Sequence, residues 1–326
     1  MSSSMRILFM GSDPIALPLL EFLNSKSERL VVVSGVDKPV GRGQKVIPNE
    51  ISSWALAHNV ELMRPQRLDD AFHQSIEALS PDMIFVMAYG KILKESLINL
   101  PRLGTWNLHA SALPKLRGAS PIETAIAIGL PETAVELMKM ALAMDVGPVG
   151  ASIAVPIGQK NSAELREEIG RISRTLVEKN WSALAAGDIL TVTQDETQAT
   201  YCRILKKEDG WLDPNEPAEV LCNHVRAFSE WPGSAFIYAG ERLKVYAARA
   251  ISDGSSRPPG TVLESGERLV VAVGKGSLEI LSLQRPGGKR LAAREFLLGY
   301  PIPVGEKFFG QPLRPLVDSK PFPRGF

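Results

Sequence analysis

The feature that most constrains this chain is a rhythm in its first half, where short apolar, β-rich runs alternate with segments of helical period. The runs are "RILFMG" (6–11), "LVVVSG" (30–35), "VELM" (60–63), "DMIFVMA" (82–88) and "TWNLHA" (105–110). Helical patterns fall between and after them at 14–25, 49–58, 69–79, 91–99 and 119–129. Strand and helix repeated in this way predict an α/β fold with a mostly parallel sheet covered on both faces. Ligands of such sheets bind outside the carboxyl ends of the strands, so the residues that follow each strand are the ones to inspect. "VELMKMAL" (135–142) and "GASIAVPI" (150–157) read as further strands, and 161–186 carries the longest helical pattern, opened by "NSAE" and closed by "AAGD".

Past residue 190 the rhythm changes. "TVTQDETQATYCRILKKEDG" (191–210) is polar and weakly periodic, the composition of a linker crossing a surface. One helical segment follows, "PAEVLCNHVRAFS" (217–229), and then short strands with glycine-containing turns, "SAFIYAGERLKVYAARA" and "GTVLESGERLVVAVGKGSLEILSL". That spacing predicts a small antiparallel barrel or sandwich. A chain of 326 residues, 44% of them hydrophobic, can bury a sizeable core and favours two domains over one. The expected division is 1–190, a linker over 191–208, and a C-terminal β-barrel over 209–326. There is no internal repeat, and the proline-rich tail 311–326 is expected to lie extended.

Lys plus Arg number 37 against 36 Asp plus Glu, so a polyanionic partner has to be met by a local patch and not by the overall field. Cys202 and Cys222 lie in no metal-ligand spacing and make no disulfide framework, as expected of free thiols in a reducing interior. The N-terminal run "ILFM" is too short for a secretory core, and no stretch approaches the roughly 20 apolar residues of a membrane span. A soluble, cytoplasmic, monomeric protein is expected.

In a strand over 105–110 side chains at i and i+2 share a face, so Asn107 and His109 project to one side at the carboxyl end, Trp106 and Leu108 to the other. An imidazole takes or donates a proton, and an amide donates to an oxygen that gains charge, a pairing suited to acyl transfer. A strand histidine can equally be a satisfied core residue. The other three histidines, His58, His73 and His224, fall in helical patterns. In "MALAMDVGPVGAS" (140–152), Asp145 stands in a tight turn before Gly147 and Pro148, where an acid can orient an imidazole or simply bond its own backbone.

"NLHASALPKLRGASPI" followed by "MDVGPV" resembles the folate-dependent formyltransferases, whose Asn, His and Asp lie in N-x-H-x-S-x-L-P and D-x-G motifs. The likeness runs along the chain to the branch acting on methionyl-tRNA: "MRILFMGSDPIALPLLEFL" resembles its opening strand and helix, "VDKPVGRGQKVIP" its substrate loop and "MAYGKIL" the border of its folate pocket. "QDETQATYCRILKKEDGWLD" is similar to its interdomain linker, "RAFSEWPGSAF" to its second-domain entry, and "LQRPGGKRL" with "FLLGYPIPVGEKF" to the end of its barrel. The resemblance implies a Rossmann-like catalytic domain with an OB-like C-terminal barrel. It also implies transfer of the formyl group of 10-formyltetrahydrofolate to methionyl initiator tRNA, without a metal. Asn107, His109 and Asp145 would be catalytic; Ser111, Ala112, Leu113, Pro114, Tyr89 and Gly90 would line the tetrahydrofolate site. The chain departs from the pattern at Leu116, where Tyr is usual, at Ala112, at Ile15, and at Pro148, where a second acid is customary.

The loop "DKPVGRGQK" (37–45) gathers Lys38, Arg42 and Lys45 among two glycines and a proline just beyond a strand's carboxyl end, where Arg42 could pair with phosphate or stack on a base. Lys206 and Lys207, with Lys244, Lys275, Lys289 and Arg290, are further candidates for RNA backbone contact. The alternative within the same superfamily is a formyltransferase acting on an amino sugar nucleotide, for which the "RGQK" loop has little use. A dinucleotide-binding enzyme is disfavoured because "GSDPIAL" lacks the three-glycine fingerprint. A silent RNA-binding module is disfavoured by the intact Asn, His and Asp.

Overall fold

The computed structural model describes residues 5–40, 45–252 and 256–323. They fall into two compact units. One comprises Met1–Ala119, Thr133–Pro156 and Arg166–Tyr201; the other Ser120–Glu132, Ile157–Leu165 and Cys202–Phe326.

The first unit is built on β1 (Arg6–Met10), β2 (Arg29–Val33), β3 (Glu61–Met63), β4 (Met83–Val86), β5 (Thr105–His109), β6 (Glu132–Lys139) and β7 (Val149–Pro156), in the order β7-β6-β5-β4-β1-β2-β3. β3, β2, β1, β4 and β5 run parallel, and β6 is antiparallel to β5. The central parallel strands β1 and β4 are buried on both faces: Ile7 to Met10 and Met83 to Val86 are all in the core, which is why they read as unbroken apolar runs. Helices α1 (Leu17–Lys26), α2 (Glu50–Ala57), α3 (Asp70–Leu79) and α4 (Glu95–Ile98) follow the strands. α2 and α3 start where the sequence supplies a cap, the Asn49 and Asp69 side chains accepting from the N–H of Ser52 and Phe72. α4 is one turn, shorter than the periodicity of 91–99 suggests.

β6 begins three residues earlier than its apolar run and ends at Lys139. Its partner β5 starts at Thr105, whose carbonyl takes the N–H of Met140, so residues beyond have no ladder to join, and Leu142 is exposed. Among the described residues no helix is long and apolar enough to cross a membrane.

The second unit carries α5 (Pro121–Ala127), α7 (Ala218–Ala227) and α8 (Ala293–Gly299), with the long α6 (Ser162–Ala186) beginning in it. Its sheet contains β8 (Ser234–Tyr238), β9 (Glu241–Ile251), β10 (Val262–Ser265), β11 (Leu269–Ala272) and β12 (Ser277–Gln284) in the order β8-β9-β12-β11-β10, paired antiparallel. Ala239 and Gly240, both with positive φ, make the two-residue turn from β8 to β9. Phe309 bridges to Ile237 of β8 and Lys307 to Thr261 beside β10, so one segment covers both ends of the strand path. Leu221, Phe236, Leu243, Ile280 and Phe308 lie in its core.

Candidate active site

The carboxyl end of β5 brings the sequence-predicted groups together. Asn107 is half-buried and His109 is buried, at alternate positions of one strand and so on one face. His109 Nδ1 lies 3.8 Å from Asp145 Oδ1, and its Nε2 lies 3.2 Å from the carbonyl of Leu116. Both ring nitrogens therefore face oxygens, and a neutral imidazole, with one N–H, donates to one of them at a time. The side-chain amide of Asn107 makes no hydrogen bond to another described residue.

Asp145 reaches this place by an unusual turn. Its φ is +55°, and its Oδ2 accepts the N–H of Gly118 at 2.8 Å. Gly147 passes so close over the end of β6 that a Cβ there would stand 1.7 Å from the carbonyl oxygen of Lys139. The glycine of the D-x-G motif is therefore a requirement of close approach.

After β5 the chain folds into a tight loop. Ser111 is buried, its Oγ donating to the carbonyl of Lys115 at 2.6 Å; Ala112 is exposed, Leu113 and Pro114 are half-buried, and Leu116 has φ +55°. The Leu113 N–H donates to Glu136 Oε2 at 3.1 Å, and Ser152 Oγ donates to Glu136 Oε1 at 3.0 Å. Glu136 is the cross-strand partner of His109 and is itself buried. Burial pushes its carboxyl above its ordinary value, against the opposing pull of Ser152, the Leu113 N–H and His109.

Tyr89 lies in the apolar core of the first unit, its buried hydroxyl without a partner among the described residues and pushed up to about 12 by burial. Gly90 is exposed with φ +72°. Lys38 and Lys45 fall on a short antiparallel hairpin, Lys38–Val40 with Lys45–Ile47; Arg42 lies outside the described residues. In the second unit Lys207 is exposed, while Lys206 caps the turn Lys207–Gly210. There too Arg242, Lys244 and Arg285 line a cavity of about 270 Å³, the Arg242 guanidinium standing 4.8 Å over the ring of Trp211. Among the described residues no three His, Cys, Asp or Glu side chains converge as a metal-binding group would.

Sequence reasoning missed Glu136, Arg117 and Gln194. An acid inside the apolar run "VELMKMAL" (135–142) was the one available signal for Glu136. Gln194 carried none, being a polar residue in a polar stretch, yet it is buried against the turn of Asp145.

Comparison with known proteins places the chain in a family. Residues 5–173 match the formyl transferase family and residues 204–301 its formyl transferase, C-terminal domain. The chain is 37% identical to the methionyl-tRNA formyltransferase of Pelobacter propionicus over 306 residues, 93% of this chain and 96% of that protein. It superimposes on methionyl-tRNA formyltransferase from Clostridium thermocellum with a TM-score of 0.54 at 14% identity, covering 83% of this chain and all of that one. An N-formyltransferase from Helicobacter canadensis, in complex with folinic acid and dTDP-3-aminofucose, gives a TM-score of 0.66 at 16% identity, covering 86% and 99% of the two chains. These last two likenesses speak for the fold, whereas the first relative spans nearly the whole sequence. On both the family match and that identity, the chain belongs to the formyl transferases, within the group formed by the methionyl-tRNA formyltransferases.

Proposed function

We propose that this protein transfers the formyl group of 10-formyltetrahydrofolate to the free amino group of methionyl initiator tRNA, as a cytoplasmic monomer serving the initiation of protein synthesis. The observation that carries the reading is the meeting of His109 and Asp145, from separate segments, beside an Asn107 amide unengaged among the described residues at the sheet's rim. Full-length likeness to methionyl-tRNA formyltransferases supports the choice of acceptor.

The donor supplies a formyl group activated by its attachment to nitrogen. The acceptor's amine attacks the formyl carbon, an oxyanion grows on the formyl oxygen, and the bond to the donor nitrogen then breaks. Asn107 donates to that oxyanion without giving up a protein bond, which makes it the better placed of the two donors. His109 would first have to leave the Leu116 carbonyl. With Asp145 Oδ1 3.8 Å from its Nδ1 to balance the charge it gains, it takes the proton shed by the attacking amine and returns it to the departing nitrogen.

The residues fit a folate. Ala112 and Gly90 offer exposed surface and Leu113 and Pro114 half-buried surface, and the Tyr89 hydroxyl is unspent; Ser111, bonded to Lys115, shapes the loop. Lys38, Arg42 and Lys45 would meet the acceptor end of the tRNA. Lys206 and Lys207, with the cavity of Arg242, Lys244 and Arg285, would meet phosphates on a surface whose sheet we take to close as an OB-like barrel over 209–326, after a linker at 191–208 and a catalytic domain at 1–190. The test offers formyl-labelled donor with methionyl initiator tRNA or with an amino sugar nucleotide. Label on the tRNA is expected; label on the sugar alone overturns the reading.

A further inference from the structure

Asp145 has a φ of +55°, in the left-handed region that aspartate enters more readily than most residues but that still costs more than the ordinary conformations unless bonds hold it. Much of that hold comes from one side chain. Gln194 Nε2 donates to the carbonyl of Asp145 at 2.8 Å and to the carbonyl of Gly147 at 2.7 Å. Gln194 has no freedom to turn over, because its Oε1 accepts from Arg117 Nε at 3.1 Å and from Arg117 Nη2 at 2.8 Å. An arginine has only donors to offer, so the amide nitrogen must face the turn.

Arg117 is fixed in its turn. Nη1 donates to Glu196 Oε2 at 2.8 Å and to Tyr201 Oη at 3.1 Å, and Nη2 donates to Glu196 Oε1 at 2.7 Å. Counted with the bonds to Gln194, all five N–H groups of a guanidinium are spent inside the protein, and the Arg117 side chain is 0% exposed. Such a cation has nothing left for a substrate phosphate. It braces Gln194, and the next residue, Gly118, gives its N–H to Asp145 Oδ2.

We propose that Gln194, set by Arg117, is a positioning residue for formyl transfer: it fixes the turn that keeps Asp145 Oδ1 beside His109 Nδ1. The segment 194–201, which reads in sequence as a linker, is then part of the frame of the active site. This rests on the reading of Asp145 as a catalytic group.

Gln194→Met keeps the volume and removes all four bonds. It is expected to lower kcat about tenfold or more while KM for donor and tRNA stays within about twofold. In an Asp145→Asn background the same replacement should cost less than about twofold, since a carboxylate that no longer acts needs no aiming. Glu196→Gln loosens the brace from a 64% exposed position and should lower kcat about threefold with KM unchanged; it decides the matter by the same split if Gln194→Met does not fold. Equal losses in both backgrounds, or a loss confined to KM or thermal stability, overturn the role of Gln194. Undiminished turnover by Asp145→Asn alone overturns instead the reading of Asp145.

Discussion

The two units treat their buried polar groups differently. In the C-terminal unit charges are closed off in pairs: Arg203 and Asp209, 1% and 2% exposed, share two bonds of 2.7 Å, and Glu279 accepts from both Arg249 and Arg268. Among the described residues there, Nδ1 of His224, a ring that burial pushes down to about 4 so that it is neutral, and Nε and Nη2 of Arg242 are buried without a hydrogen-bond partner. At the rim of the N-terminal unit, Asn107 has an unspent amide, His109 stands between two oxygens, and Glu136 is a carboxyl raised by burial. A polar group completed by its neighbours specifies a fold; one left with a free donor or an unneutralised charge is available to a substrate.

Acid gives the largest test of this contrast. Between the ordinary value of 6.5 and the folded value of about 4, the unfolded chain binds a proton at His224 that the folded chain refuses. The contribution of His224 is therefore fully present above about 6.5 and is lost as pH falls toward about 4, by about 3 kcal/mol. Urea midpoints at the two ends of that window should diverge less in His224→Leu than in the parent. Equal divergence would mean that the ring is protonated in place and that this unit is no better closed than the rim.

The catalytic side of the contrast is next in size. Asn107→Ala removes a donor that no described residue uses, so kcat should fall about a hundredfold, or roughly 3 kcal/mol, with stability changed by less than about 0.5 kcal/mol. His109→Ala should match that loss in rate but also lower stability, because its ring is packed and bonded to Leu116. A variant of Asn107 that unfolds more easily and turns over normally would invert the assignment.

How much of this was legible depended on what each residue needed from distant segments. β1 and β4 were readable because central parallel strands buried on both faces are almost wholly apolar. The period of a strand placed Asn107 and His109 on one face, whereas Asp145 emerged from its motif, since a lone acid in a turn has a local explanation. The frame around Asp145 was not readable at all. Arg117 looks like a solvent-facing member of "KLRG" and Gln194 like linker, and each becomes buried only because the other arrives from a remote part of the chain. β6 was placed late because its first residues, Glu132, Thr133 and Ala134, carry no apolar run and lie beyond the ladder to β5, in a strand whose other neighbour is β7.

Glu136 offers the smallest and most pointed test. Burial comes first among the causes acting on its carboxyl, so the folded pKa lies above the ordinary 4.5. Its contribution to stability is fully present below about 4.5 and is lost as pH rises through the folded value, the reverse of His224. Glu136→Gln keeps an oxygen for the Leu113 N–H and gains an N–H that Ser152 Oγ can accept, so both native partners stay satisfied. It should be more stable than the parent at pH 7 and indistinguishable from it at pH 4, read from urea midpoints, with an effect below that of His224 because Ser152 and Leu113 oppose the burial. Parent and variant running parallel at every pH would show the carboxyl to be fully compensated in place. The rim would then be as closed as the C-terminal unit at this position, and its openness to a substrate would rest on Asn107 and the ring of His109.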